Sequence, residues 1–187
     1  MKITDLNLSG VLLVKPDVHA DERGFFLETW HQSRYCDNDF PDVTFVQDNH
    51  SRSVRGVLRG LHFQQKFPQG KLVQVTRGCV FDVAVDVRPG SPEFGRWVGH
   101  ELSEDNHHQM WIPPGFAHGF CALSELADLT YKCTDIYRPD DDFGIIWNDQ
   151  DLAVHWPIDD PLLSDKDKTL PTLADAELSG RLPVFTG

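Results

Sequence analysis

The stretch Cys79-Val80-Phe81-Asp82-Val83-Ala84-Val85-Asp86-Val87 constrains the fold more than any other. Phe81, Val83, Val85 and Val87 recur at every second position, and Asp82 and Asp86 fall on the alternate set. Period two belongs to a strand with two unlike faces and does not suit a helix. Comparable short runs lie at 10–14, 24–30, 43–48, 57–64, 70–77, 96–102, 108–112, 117–123, 128–137, 144–148 and 152–156. Turn-forming groups separate them, among them Asp21-Glu22-Arg23-Gly24, Arg88-Pro89-Gly90-Ser91-Pro92 and Ser103-Glu104-Asp105-Asn106. Many short strands at a spacing of roughly 8–12 residues predict an all-β sandwich or barrel. Helical patterning is confined to short turns at 31–40 and 173–182. From about residue 158 the texture shifts to Asp, Pro and Lys. Residues 158–187 are therefore expected as a C-terminal extension packed on the sandwich, within one domain spanning 1–187.

Composition mainly excludes. The chain has 40% hydrophobic and 25% charged residues, an ordinary globular balance. No apolar run approaches the ~18 residues of a membrane span. The start, Met1-Lys2-Ile3-Thr4-Asp5, lacks the apolar core of a secretory signal. Cys36, Cys79, Cys121 and Cys133 are scattered without a Cys-x-x-Cys pair, which fits free thiols in a reducing cytoplasm. A net charge of −12 argues against nucleic acid and anionic membranes, both of which reward clustered Lys and Arg. A small anionic ligand is still compatible, since a few local arginines suffice to bind it.

Four segments carry chemistry. In Val57-Leu58-Arg59-Gly60-Leu61-His62-Phe63-Gln64, His62 sits within an apolar strand, where it needs a partner or loses its charge. A core histidine satisfied by a carbonyl and a functional base both fit that segment alone. Arg59 calls for a carboxylate or phosphate. Strict alternation puts Arg59 and His62 on opposite faces, so a shared pocket requires a bulge at Gly60.

In Trp111-Ile112-Pro113-Pro114-Gly115-Phe116-Ala117-His118-Gly119-Phe120, the Pro-x-Gly-x-x-His spacing resembles the second motif of the cupins, which are jelly-roll proteins. The first cupin motif needs His-x-His and a downstream Glu, but here it reads His62-Phe63-Gln64. Two histidines fall short of the usual three protein ligands, so no metal is expected. In Leu129-Thr130-Tyr131-Lys132-Cys133-Thr134-Asp135-Ile136-Tyr137, the spacing of Tyr131 and Tyr137 places both on one face of an extended strand. A pocket tyrosine can act as an acid. In Phe45-Val46-Gln47-Asp48-Asn49-His50-Ser51, Gln47 and Asn49 share a face suited to phosphate or sugar oxygens. Arg23, Glu28 and Lys71 add polar groups at strand ends, and the charged run 162–168 reads as solvated surface.

Assembled, these segments resemble the dTDP-4-dehydrorhamnose 3,5-epimerase family, the RmlC-like cupins. The resemblance rests on Asp21-Glu22-Arg23-Gly24-Phe25-Phe26, Gln47-Asp48-Asn49-His50-Ser51, Leu58-Arg59-Gly60-Leu61-His62-Phe63-Gln64, Gln69-Gly70-Lys71-Leu72-Val73, 80–86, 111–120 and 162–167, in order along nearly the whole chain. It implies a cupin-type jelly roll and an isomerase converting dTDP-4-dehydro-6-deoxy-D-glucose to dTDP-4-dehydro-L-rhamnose. Such an enzyme serves dTDP-rhamnose supply for cell-surface polysaccharide, as a cytoplasmic homodimer without cofactor or metal. By the same resemblance His62 is the base, Asp167 its partner, Tyr131 the acid and Lys71 the stabiliser of the enolate. Arg23, Arg59, Gln47 and Asn49 would hold the pyrophosphate and nucleotide. His118 and Glu28 would contact sugar or nucleotide, Tyr137 would stack near thymine, and Lys166 would sit at the ligand's edge.

The residue types suit that chemistry. Both reacting carbons flank a ketone, so proton removal leaves an enolate that a cation stabilises. Inversion needs a base on one face and an acid on the other. One departure is visible: where relatives often carry a Glu, this chain has Phe143, preceded by Asp140, Asp141 and Asp142. A relative that epimerises at C3 or C5 alone would keep the same His62 and Tyr131, and a metal-dependent cupin is a more distant alternative.

Overall fold

The computed structural model describes residues 1–185, and the last two positions of the expected extension, 186–187, lie outside the described residues. The described residues form thirteen strands: β1 (Lys2–Asp5), β2 (Leu12–Lys15), β3 (Val18–Asp21), β4 (Gly24–Leu27), β5 (Gln47–Val54), β6 (Leu58–Gln64), β7 (Lys71–Arg77), β8 (Cys79–Asp86), β9 (Trp97–Ser103), β10 (Gln109–Ile112), β11 (Phe116–Ala122), β12 (Leu126–Cys133) and β13 (Asp142–Gly144). Helices are short: α1 (Gln32–Cys36), α2 (Leu173–Leu178) and two 3-10 turns. One sheet runs β1-β2-β10-β7-β12-β5, the other β13-β6-β11-β8-β9, and β3-β4 forms a separate hairpin.

The two sheets face each other as a jelly-roll sandwich. Leu13, Val73, Met110 and Leu129 of the six-stranded sheet meet Val80, Ala84, Leu102, Phe116 and Phe120 of the five-stranded one. Each such fully buried Leu, Val or Phe contributes about 1.5–3 kcal/mol by leaving water. Both outer faces are partly covered. Tyr35 of α1 and Phe40 pack over Val14, Leu72 and Trp111. On the other side Leu173 and Ala176 of α2, with Leu182, pack over Val83, Val85 and Val87. The alternation in β8 is thus used twice: Val83 and Val85 meet the extension, while Asp82 and Asp86 turn inward and are fully buried.

The expected extension docks by its backbone as well. Leu162 N–H donates to Gly56 O at 2.8 Å, and Leu58 N–H donates to Leu162 O at 3.1 Å. Thr172 caps α2, its side chain accepting from Asp175 N–H, a donor the helix itself leaves unpaired.

Several sequence expectations are corrected. The strand expected at 43–48 begins at Gln47 and runs to Val54, while Phe45 joins the aromatic cluster around Trp30 and Trp111. No strand forms at 152–156. There Asp149 Oδ1 accepts from the backbone N–H of Asp151 and Leu152, and Oδ2 from Leu173 N–H, so a carboxylate takes donors a ladder would use. The strand expected at 144–148 is confined to β13, and β12 ends at Cys133, so Tyr137 is not on Tyr131's strand. Strands β1 and β3 had no counterpart among the expected runs.

Candidate active site

The strand β6 departs from regular pairing where its chemistry lies. His62 pairs with His118, but Arg59 pairs with Phe120, so β6 spends three steps where β11 spends two. The extra residue is the bulge that a shared pocket for Arg59 and His62 requires. Gly60 adopts φ +111°, and a Cβ there would stand 2.6 Å from His118 O. Only glycine meets both demands.

Arg59 and His62 consequently line one cavity of about 500 Å³. Its walls come from facing sheets. The five-stranded sheet supplies Arg59, His62, His118 and Phe120, and the six-stranded sheet supplies Ser51, Lys71 and Tyr131. Leu162, Leu163, Ser164, Lys166 and Asp167 of the extension close a third side.

His62 Nε2 lies 2.5 Å from Asp167 Oδ1. Burial alone would raise the Asp167 pKa, but the hydrogen bond and charge of His62, with Ser164 and Lys166, hold it below 3.8. An ionised carboxylate only accepts, so Nε2 carries the proton and Nδ1 is the basic nitrogen of the neutral ring. The segment that looked like a solvated run therefore delivers a carboxylate that is 2% exposed. A second pair stands beside the first: His118 Nε2 lies 2.9 Å from Asp82 Oδ2.

On the opposite wall, Lys71 keeps part of its surface open to the cavity, but the protein around it removes enough water to push its pKa below 10.5. Attraction to Cys133, Asp142 and Asp82 acts in the other direction. Burial, with Cys133 and Asp142, pushes the Tyr131 phenol above 10, against a smaller pull from Arg59. Tyr131 is therefore protonated at neutral pH and able to donate.

Other expected site residues lie around this centre. Arg59 Nε donates to Ser53 Oγ at 3.2 Å and Nη2 to Arg52 O at 3.3 Å. Gln47 and Asn49, two positions apart and so on one face of β5, bond each other at 3.0 Å. Gln47 also accepts from Tyr137 N–H, and Asn49 donates to Cys133 Sγ. Neither amide lines the cavity itself. Tyr137, on the loop after β12, donates its hydroxyl to Asp142 Oδ2 at 2.9 Å, and Lys166 Nζ reaches the same oxygen at 2.5 Å. Arg23 and Glu28 do not join the cavity within this chain: Arg23 pairs with Asp21 on the β3-β4 turn, and Glu28 with Arg34.

Sequence reasoning missed Asp142 and Asp82. Phe143 turns away to pack near Phe63, and Asp142 before it gathers Tyr137 and Lys166. The run Asp140-Asp141-Asp142 signalled acidity without telling which carboxylate points where. Asp82 carried a fair signal, an acid in a strand buried on both faces. Among the described residues no group of three or more His, Cys, Asp or Glu side chains is placed to hold a metal ion. No helix of the described residues is long and apolar enough to cross a membrane.

A sequence model described as dTDP-4-dehydrorhamnose 3,5-epimerase matches residues 5–175. The dTDP-4-dehydrorhamnose 3,5-epimerase of Pseudomonas aeruginosa is 54% identical, covering 95% of this chain and 98% of its own. The crystal structure of the Legionella pneumophila enzyme RmlC in complex with dTDP-4-keto-L-rhamnose superposes with TM-score 0.95 at 47% identity, over 100% of this chain and 99% of that one. A 4-keto-6-deoxy sugar epimerase from the novobiocin cluster of Streptomyces spheroides reaches the same TM-score of 0.95 at 39% identity, over 99% and 94%.

Proposed function

The chain belongs to the dTDP-4-dehydrorhamnose 3,5-epimerase family, and from that premise we propose how its cavity works. The reaction is epimerisation of dTDP-4-dehydro-6-deoxy-D-glucose at C3 and C5 to dTDP-4-dehydro-L-rhamnose, a step of dTDP-rhamnose synthesis. The observation that carries the reading is the placement of His62 and Tyr131 on opposing sheets across one cavity.

His62 Nδ1 takes the proton at C5, the electron pair moves into an enolate with C4, and the oxygen at C4 rests against the Lys71 ammonium. Tyr131 returns a proton to C5 from the other side, and solvent restores the phenol and imidazole. The same exchange at C3 completes the reaction. Asp167 holds the His62 tautomer throughout. His118 contacts the sugar, and Arg59 grips the pyrophosphate. Gln47, Asn49, Tyr137 and Lys166 surround the nucleotide end, giving a remote handle that orients a small sugar. Base, acid and cation suffice for this chemistry, so the reading calls on no cofactor or metal.

The enzyme acts as a homodimer in this reading. Among the described residues the β3-β4 hairpin pairs with no other strand, and it exposes Phe25 and Phe26 at 60% and 70%, which supports a partner chain covering it. A partner's cavity then receives Arg23 and Glu28, which do not line the His62 cavity of their own chain. Cytoplasmic location fits four free cysteines. Residues 1–187 act as one domain whose extension, from about 158, completes the site.

Turnover in D2O tests the reaction. Deuterium at both C3 and C5 of the product is expected. Label at one carbon alone would assign the chain to the single-site epimerases.

A further inference from the structure

The extension is fastened to β6 at two points. Leu58 N–H donates to Leu162 O at 3.1 Å, and His62, four residues further along the strand, meets Asp167 at 2.5 Å. Four strand steps cover at most about 13 Å. The five steps from Leu162 to Asp167 would reach about 17 Å if fully extended. The extension therefore has to turn between its two fastenings, and the place of that turn decides where the carboxylate stops.

Ser164 makes the turn. Its Oγ accepts from Asp167 N–H at 3.1 Å, and its carbonyl accepts from Lys168 N–H at 3.2 Å. Side chain and main chain of one residue thus bind the start of the 3-10 turn Asp167–Thr169. That turn is three residues long, and Lys166 before it supplies no side-chain cap. The same hydroxyl has a hydrogen to give: Ser164 lines the cavity and bonds the Asp167 carboxylate, helping His62 to keep it ionised. Lys166 also acts on that carboxylate, but its ammonium is drawn off to Asp142 Oδ2. Asp167 is 2% exposed, so water has little room to replace a lost partner.

We propose that Ser164 is a positioning residue for the reaction: its hydroxyl sets Asp167 against His62, and it acts on turnover through that pair. The assignment rests on His62 and Asp167 being the working pair of the cavity. It asks more of Ser164 than shaping a turn and less than touching the sugar.

Ser164→Ala tests it, alone and in an Asp167→Ala background, by kcat, KM and affinity for dTDP. In the single variant kcat should fall about tenfold or more, as for loss of a hydrogen bond to a charged group, with KM and dTDP affinity held. With Asp167 already truncated, the same substitution should cost no further turnover, because a residue acting only through another has nothing left to act on. Ser164→Thr, which keeps the hydroxyl, should restore kcat. The carboxyl carbon of Asp167, followed by NMR, should titrate at higher pH in Ser164→Ala, since a bond to its ionised form is gone. A kcat held near wild type overturns the proposal, whatever the melting temperature does. So does an equal further loss in the Asp167→Ala background, or a raised KM with kcat held, which would make Ser164 a substrate contact. Should Ser164→Ala not fold, Ser164→Cys, with its weak donor and acceptor, must show the same loss of kcat. Full turnover by Asp167→Ala itself would instead sink the pairing of base and carboxylate.

Discussion

His62 and Asp167 stand 105 residues apart in the chain and meet at 2.5 Å, one on a sandwich strand and the other on the extension. Asp167→Asn keeps the shape but removes the charge and offers an N–H where His62 needs an acceptor. Turnover should fall roughly 10²–10⁴-fold, the range of a lost general base or its wrong tautomer. Binding of dTDP should persist. Rapid-quench or coupled assays with dTDP titration read both, and near-normal turnover would remove Asp167 from the mechanism.

Lys71 sets the alkaline behaviour. Burial holds its pKa below 10.5, so the folded protein gives up this proton before the unfolded chain does. The unfolded state then binds more protons in that window, and this group's contribution to stability rises with pH up to 10.5. At neutral pH its charge is a burden on folding. Lys71→Met should therefore raise the melting temperature while abolishing most turnover. The wild type should show an alkaline fall in kcat that begins below 10.5, and Lys71→Arg, with a cation that stays charged, should lose it. A pH–rate profile decides, and an identical alkaline limb in the arginine variant would assign it elsewhere.

Gly60→Ala forces a side chain into φ +111° and against His118 O. About 1–3 kcal/mol of stability should be lost to that strain. Activity should fall further than stability predicts, because the bulge places Arg59 and His62 together. Denaturant titration and kcat on the same preparation separate the effects, and full activity would show that the bulge can re-form without glycine.

How far such features were legible depended on whether they were written in hydrophobicity. Strand β8, with valines at alternate positions, was plain, and the Gly60 bulge followed from Arg59 and His62 having to share a wall. Strand β5 was displaced toward Phe45 and Val46, because its own inward residues are amides and hydroxyls. Periodicity of apolar residues has nothing to register there. Asp142 and Asp82 were readable as acids but not as partners, since Lys166, Tyr137 and His118 reach them only through the tertiary fold.

Acid should weaken the edge of the six-stranded sheet. Asp128 accepts two bonds from Arg52 at 2.7 Å each, and this pairing, outweighing burial, lowers its pKa from 3.8 to about 2. A depressed carboxylate stabilises the fold above 3.8, and that contribution disappears as pH falls toward about 2. Asp128→Asn should be less stable at neutral pH yet lose less between these values. Thermal melts across pH 2–7 provide the comparison, and parallel curves would deny the pair any role.

The exposed hairpin gives a test of assembly. Phe26→Glu places a charge on a ring that is 70% exposed in the single chain, so the fold itself should be indifferent. Sedimentation should show a monomer, with KM raised as Arg23 and Glu28 leave the neighbouring cavity. A stable dimer with wild-type KM would locate the interface elsewhere.

The docking of the extension has a consequence for the order in which this protein becomes an enzyme. A ribosome makes every strand of the sandwich, with base, acid and lysine in place, before it makes Asp167. Until Asp167 is made, the strand residues include an imidazole without its steering carboxylate. Turnover therefore waits on the extension, because the carboxylate that steers the base lies outside the sandwich strands.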